Sequence, residues 1–353
     1  MLHKQRLQYI DSLRGFAMLL VVIHHVSLYS LNAHPAFSLN TVFLTFRMPL
    51  FFFLSGFLFY KPFLFTDKNS YLQFLRKKFK VQIVPTVIFG SLFAFLLGIS
   101  LLDMLFHQTK HGYWFTIILF IYFFLFSSTS FIFKKIIKNC SEGKILFTIF
   151  LLALIISIPS FALDHNLIKP INKYFNWSSA FLSFNKWWYF VYFVFGAIIR
   201  QKRIEFNKLK EPKFISLVLI AEILLLLLRL TYDVNSIFCL FGVIDYFLGF
   251  LGIIIVVTFF SKNEISFSKD TVIGRSLQYI GERTLDIYLL HYFFVPRNLE
   301  MIGQWLEINC NPILELFIEI IIALIVITVC LVSSKTIRIS DYLAKLLFGK
   351  VLN

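Results

Sequence analysis

The sequence predicts an all-α, polytopic integral membrane protein, and three observations carry that prediction. Of its 353 residues, 58% are hydrophobic and only 15% are charged. The apolar residues fall in blocks of about 20, the length a helix needs to cross roughly 30 Å of hydrocarbon. The short alternating segments that a transmembrane β-barrel requires are not seen. A net charge of +15 would point to nucleic acid in a soluble chain. Here it is assigned to cytoplasmic loops, which collect Lys and Arg, and no nucleic-acid partner is expected.

About ten spans follow in order: 9–30, 41–60, 81–103, 113–133, 145–163, 185–200, 213–232, 236–260, 276–296 and 312–334. The first has a basic lead-in (His3, Lys4, Arg6) but no small-residue cleavage site, so it reads as a retained helix. The sixth, built on "WWYFVYFVFGAII", is the shortest. With both termini cytoplasmic, 25 Lys and Arg fall in inner segments and 5 in outer ones, a split that obeys the positive-inside rule. The remaining four (Arg14, Arg47, Arg229 and Arg283) lie within spans. The expectation is one membrane-embedded domain over 1–353 in the cell (inner or plasma) membrane. Cys140, Cys239, Cys310 and Cys330 are scattered without metal-type spacing, so no metal site is expected.

The charged and titratable residues inside the spans are the informative ones, because each costs a few kcal/mol in hydrocarbon and must face the bundle interior. Span one rises from the cytoplasm, which puts Arg14 about 8 Å in and His25 roughly 24 Å up. Eleven residues at about 100° each return His25 to the face of Arg14, with Asp11 near the same stripe. Span two descends, so Arg47 enters about 9 Å below the outer surface, near the level of His25. Pro49 removes a backbone donor there, and Ser55 and Gly56 offer a small-residue contact. Glu222 is near the middle of span seven, and Arg229 and Asp245 flank a short outer turn where they can pair. Span nine climbs again, placing Asp286 mid-membrane and His291 at the height of His25.

Some of these residues have blander readings. Arg14 and Arg283 are also within snorkelling reach of headgroups. Trp114, Trp187 and Trp188, at outer helix ends, read as an interfacial belt. What the bland readings leave unexplained is His25, Arg47 and His291 on three spans at one depth. Two function classes accommodate that: a transporter or channel with a proton relay, and an enzyme whose reacting centre lies in the bilayer.

Four stretches carry a resemblance. "LRGFAMLLVVIHH", with a His eleven residues after the Arg of an Arg-Gly pair, resembles the first-helix signature of the acyltransferase-3 family. "FRMPLFFFLSGF", "GYWFTIILFIYFF" and "IGERTLDIYLLH" match further stretches in order, so the resemblance covers residues 9–291. It implies ten spans with both ends cytoplasmic, an integral membrane acyltransferase of the stand-alone type without a fused esterase domain, and His25 and Arg14 as the functionally essential positions. The family's basic pair ahead of a proline corresponds to Arg76, Lys77, Lys78 and Lys80 before Pro85, with the second Arg of the pair absent.

The implied donor is an acyl-CoA, most often acetyl-CoA, whose phosphates meet Arg76, Lys77, Lys78 and Lys80; those bases also satisfy the positive-inside rule alone. Arg14 is placed to hold a phosphate or an amide of the pantetheine arm. The implied acceptor is a hydroxyl of a bacterial surface polysaccharide or a lipid-linked glycan. Histidine suits the base that an alcohol nucleophile needs, and His25 takes that role. Arg47 or His291 is then available to the oxyanion, and Asp286 to orient a histidine. Direct transfer and transfer through an acylated residue remain equally open.

Overall fold

The computed structural model describes residues 7–32, 38–61, 67–136, 141–164, 182–202, 210–231 and 238–349, and every regular element among them is helical. Among the described residues, seven helical stretches are long and apolar enough to cross a membrane: Gln8–Leu31, Leu39–Phe59, Lys68–Leu96, Trp114–Ile136, Glu142–Asp164, Val243–Lys262 and Pro312–Ile337. Two of the ten expected spans, the sixth and the ninth, are not single long helices. The sixth is a 3-10 turn, Phe184–Tyr189, leading into the 12-residue helix Phe190–Gln201. The seventh is the continuous 20-residue helix Pro212–Thr231, which carries Glu222 and Arg229 and matches the expected 213–232 to within one residue at each end. The ninth is two helices, Val272–Glu282 and Thr284–Phe294, broken at Arg283, which leaves helical geometry at φ −114° and ψ 21°.

In chain order the helices are α1 (Gln8–Val26), α2 (Leu39–Phe59), α3 (Lys68–Lys78), α4 (Val84–Leu96), α5 (Leu101–Phe106), α6 (Trp114–Ile136) and α7 (Glu142–Asp164). Then follow α8 (Phe190–Gln201), α9 (Pro212–Thr231), α10 (Phe238–Lys262), α11 (Val272–Glu282), α12 (Thr284–Phe294), α13 (Glu300–Asn309), α14 (Pro312–Ile337) and α15 (Asp341–Phe348). Two π-turns interrupt the ladder: Ser27–Leu31 extends α1, and Phe79–Ile83 joins α3 to α4. The chain divides into two compact units, one formed by Met1–Phe51, Asn207–Tyr232 and Ile244–Ile337, the other by Phe52–Phe206, Asp233–Val243 and Arg338–Asn353.

In the first unit, α1 and α11 cross with their backbones in contact. A Cβ added at Gly15 would lie 1.9 Å from the Leu277 carbonyl oxygen, and one at Gly281 would lie 1.9 Å from that of Asp11. Only glycine fits at either place, which gives the Arg-Gly and Ile-Gly pairs of the two matching stretches a common physical cause. Polar bonds lock the same crossing: the Ser12 hydroxyl and the Gln278 amide both donate to the Phe267 carbonyl, at 2.9 and 2.8 Å. Farther along, the π-turn seats Leu31 against Leu306 of α13 and Ile318 and Ile322 of α14.

The second unit has an aromatic core in which Tyr122, Phe190, Tyr192 and Phe193 are fully buried. Its crossing of α2 with α8 repeats the glycine device, since a Cβ added at Gly56 or Gly196 would lie 1.8 Å from the Phe193 carbonyl oxygen or 2.0 Å from that of Phe53. At the end of α7, the Asp164 carboxylate accepts from Asn185 Nδ2 at 2.9 Å, Lys186 Nζ at 2.5 Å and Trp188 Nε1 at 3.0 Å. Trp188 is thus a buried, hydrogen-bonded residue and not part of a lipid-facing belt. Replacing Asp164 with Ala strands a largely buried ammonium and is expected to cost on the order of 3 kcal/mol. A lowered melting temperature in detergent would report it, and the pair Asp164→Leu with Lys186→Met should recover most of the loss.

Candidate active site

The first unit brings two of the sequence-selected histidines into direct contact. His25 Nδ1 lies 2.9 Å from His291 Nε2, and the two rings stack at 4.9 Å between centroids. The local sequence explains how they meet. α1 carries His25 to its last turn, α12 carries His291 to its own, and the glycine crossing one level below fixes the separation of α1 from the helix pair α11–α12. His291 is fully buried, whereas His25 is half-buried.

Hydrogen-bond chemistry assigns the tautomers of the neutral pair. His291 Nδ1 is 3.0 Å from the Ile287 carbonyl, which can only accept, so that nitrogen carries the proton. His291 Nε2 is then an acceptor, and His25 Nδ1 donates to it. The lone pair left on His25 Nε2 faces the Tyr292 hydroxyl at 3.2 Å, which donates. A carbonyl, an imidazole and a second imidazole thus form a relay that ends in a basic nitrogen directed at a hydroxyl. The same logic operates where a carboxylate orients a catalytic histidine.

The surroundings are aromatic and cationic. Tyr29, on the π-turn, stacks on His25 at 5.8 Å and meets Tyr292 edge-on at 6.2 Å. Arg47 is buried and close enough to act electrostatically on both His24 and His25. His24 sits beside His25 with ring centroids 5.5 Å apart. One level down, the Arg14 guanidinium donates to Thr284 Oγ1 at 3.1 Å and to Asp11 Oδ1 at 3.5 Å, so α1 is tied to the first residue of α12. Asp286 is buried and accepts from Ser334 of α14 at 2.6 Å. With the four ring nitrogens of His25 and His291 bonded as above, the group that orients His291 is the Ile287 carbonyl.

In the second unit, the basic stretch lies on one continuous helix rather than in a loop. Asp67 caps α3 by accepting the Ser70 N–H at 2.7 Å, and α3 runs through the π-turn into α4 with Pro85 in its first turn. Arg76, Lys77 and Lys80 are exposed, while Lys78 is half-buried with its ammonium 3.8 Å from the Phe123 ring centre. Among the described residues no group of three or more His, Cys, Asp and Glu converges as a metal site would.

Sequence reasoning missed Tyr292 and Tyr29. Neighbours on a helix point about 100° apart, so Tyr292 carried no signal beside His291. It reaches His25 because the His25 ring lies between the two positions.

Apolar helices that hold a hydrogen-bonded imidazole pair with a lone pair directed at a hydroxyl define an intramembrane acid–base protein, a class that includes transporters and enzymes. The family comparison separates these: the family model described as an acyltransferase domain matches residues 7–334, and the chain belongs to the acyltransferase-3 family. No curated protein and no solved structure matches it. The chain is therefore a multi-pass membrane acyltransferase.

Proposed function

We propose that this chain transfers an acyl group, acetyl in the first instance, from acyl-CoA to a hydroxyl of a cell-surface or lipid-linked glycan. The chain acts as a single membrane domain crossing the bilayer ten times, with both termini cytoplasmic. The orientation is supported by the 25 to 5 division of Lys and Arg between inner and outer segments. The observation that carries the chemistry is the relay from the Ile287 carbonyl through His291 to His25 Nε2.

His25 Nε2 takes the proton of the acceptor hydroxyl as its oxygen bonds to the thioester carbonyl carbon. Negative charge moves to the carbonyl oxygen, where Arg47 and Tyr292 are the candidate stabilisers; His291, donating to Ile287 and accepting from His25, serves the base and not the oxyanion. The C–S bond then breaks, and the proton held on Nε2 passes to the departing thiolate, so no net proton is released. Arg14, fixed by Asp11 and Thr284, meets the pantetheine arm, and Arg76, Lys77, Lys78 and Lys80 meet the donor phosphates. Asp286, bonded to Ser334, holds the helix that carries His291.

The test uses the full chain in proteoliposomes with acetyl-labelled acetyl-CoA and membranes from a strain lacking the chain as acceptor source. Label in a hydroxyl ester of the glycan fraction, with mass spectrometry showing a gained acetyl mass, is the expected result. Flux of a solute without any acyl donor, and no ester formed, would establish transport instead.

A further inference from the structure

The helix α15 lies beyond residues 7–334, the part of the chain that matches the family. Its docking is nevertheless specific. Ser340 caps it by accepting the Leu343 N–H, Ala344 and Phe348 are fully buried, and the Phe348 ring sits 5.7 Å from Phe89 of α4. On its other side the Arg338 guanidinium carbon lies 4.3 Å from the Phe348 ring centre. Gly349 ends the helix in the left-handed conformation at φ +69°. A Cβ there would lie 2.6 Å from Val81 Cα and 2.7 Å from the Lys80 carbonyl oxygen. The residue therefore must be glycine twice over, once for its backbone angle and once for the approach of another backbone.

What Gly349 touches is the middle of the π-turn Phe79–Ile83. Such single turns of wider helix recur at functional sites and depend on their surroundings to persist. This turn sets the direction of Lys80, an exposed ammonium at the end of the basic stretch. We infer that α15 is a brace: Phe348, packed on Phe89, seats the helix against α4, Gly349 holds the π-turn from behind, and both are positioning residues that aim Lys80 at a phosphate of the donor. The inference rests on the proposed donor-binding role of the basic stretch.

The experiment measures binding of CoA and of dephospho-CoA to the purified full chain in nanodiscs. Loss of one charge-assisted contact to phosphate corresponds to about a tenfold loss of affinity. Lys80→Ala, Gly349→Val and the milder Phe348→Leu are each expected to weaken CoA binding by about that factor. Lys80→Ala combined with Gly349→Val should be no weaker than either alone, because both remove the same contact. Tyr342→Ala, on the exposed face of α15, should leave affinity unchanged.

Each variant is compared at matched melting temperature and elution volume, and Phe348→Leu serves if Gly349→Val fails to fold. Losses that add in the double variant would overturn the brace, as would unchanged CoA affinity in Phe348→Leu or Gly349→Val while Lys80→Ala binds weakly. If Lys80→Ala binds CoA as the natural chain does, Lys80 does not contact the donor, and that part of the functional proposal falls with the brace. Whether dephospho-CoA responds as CoA does identifies the phosphate that Lys80 meets.

Discussion

Acyl transfer is expected to fall by at least about 10²–10⁴-fold when His25 is replaced with Ala, the range general-base catalysis contributes. Insertion and donor binding should be retained. The variant removes Nε2, the one nitrogen of the relay whose lone pair is directed at a hydroxyl. His291→Phe should also be severely impaired, since it takes away the acceptor that fixes the tautomer of His25. His291→Gln, whose amide oxygen can still accept, should retain more activity than His291→Phe. His24→Ala should keep most activity, because neither of the two relay bonds to His25 involves it. Thioester consumption in proteoliposomes and ester formation by mass spectrometry measure all four. Full transfer by His25→Ala would remove the centre of the mechanism.

Gly15→Val is expected to be the most destabilising single change in the first unit. The added Cβ would begin 1.9 Å from the Leu277 carbonyl oxygen and 3.1 Å from its Cα, so a backbone has to move. Overpacking that side chains can absorb costs about 1–3 kcal/mol, and here no side chain is available to yield, so the loss should lie at or above the top of that range. Gly143→Val is the control, since a Cβ at Gly143 meets nothing within 4 Å. A clear drop in melting temperature for Gly15→Val beside little change for Gly143→Val is the expected result. Equal melting temperatures would mean that α1 and α11 are not held in backbone contact. Protein that does fold should transfer acyl groups poorly, because separating α1 from α11 also separates His25 from His291.

Much of this site could be read before any coordinates. The interval of eleven residues between Arg14 and His25, and the equal heights of His25, Arg47 and His291, follow from helical pitch once the direction of each span is set. The contact between the two imidazoles agrees with that reckoning. Other features were not legible. The π-turn after His25 has no signature in hydropathy, and the polar run Gly281-Glu282-Arg283-Thr284 does not by itself say whether a helix breaks there or passes through. Trp188 looked like a belt residue because depth alone cannot say whether an indole faces lipid or a carboxylate such as Asp164.

The sequence by itself determined that the chain is helical and membrane-embedded, because block length and charge are one-dimensional properties. It also determined the family, because the matching stretches keep their order along the chain. Tertiary structure alone decided which atoms meet: that Gly15 and Gly281 let two backbones touch, that the Ile287 carbonyl orients His291, and that Tyr292 faces His25 Nε2. The reason is that a hydrogen bond is fixed within a few tenths of an ångström. Reckoning depth at about 1.5 Å per residue finds the level of a side chain and not its partner.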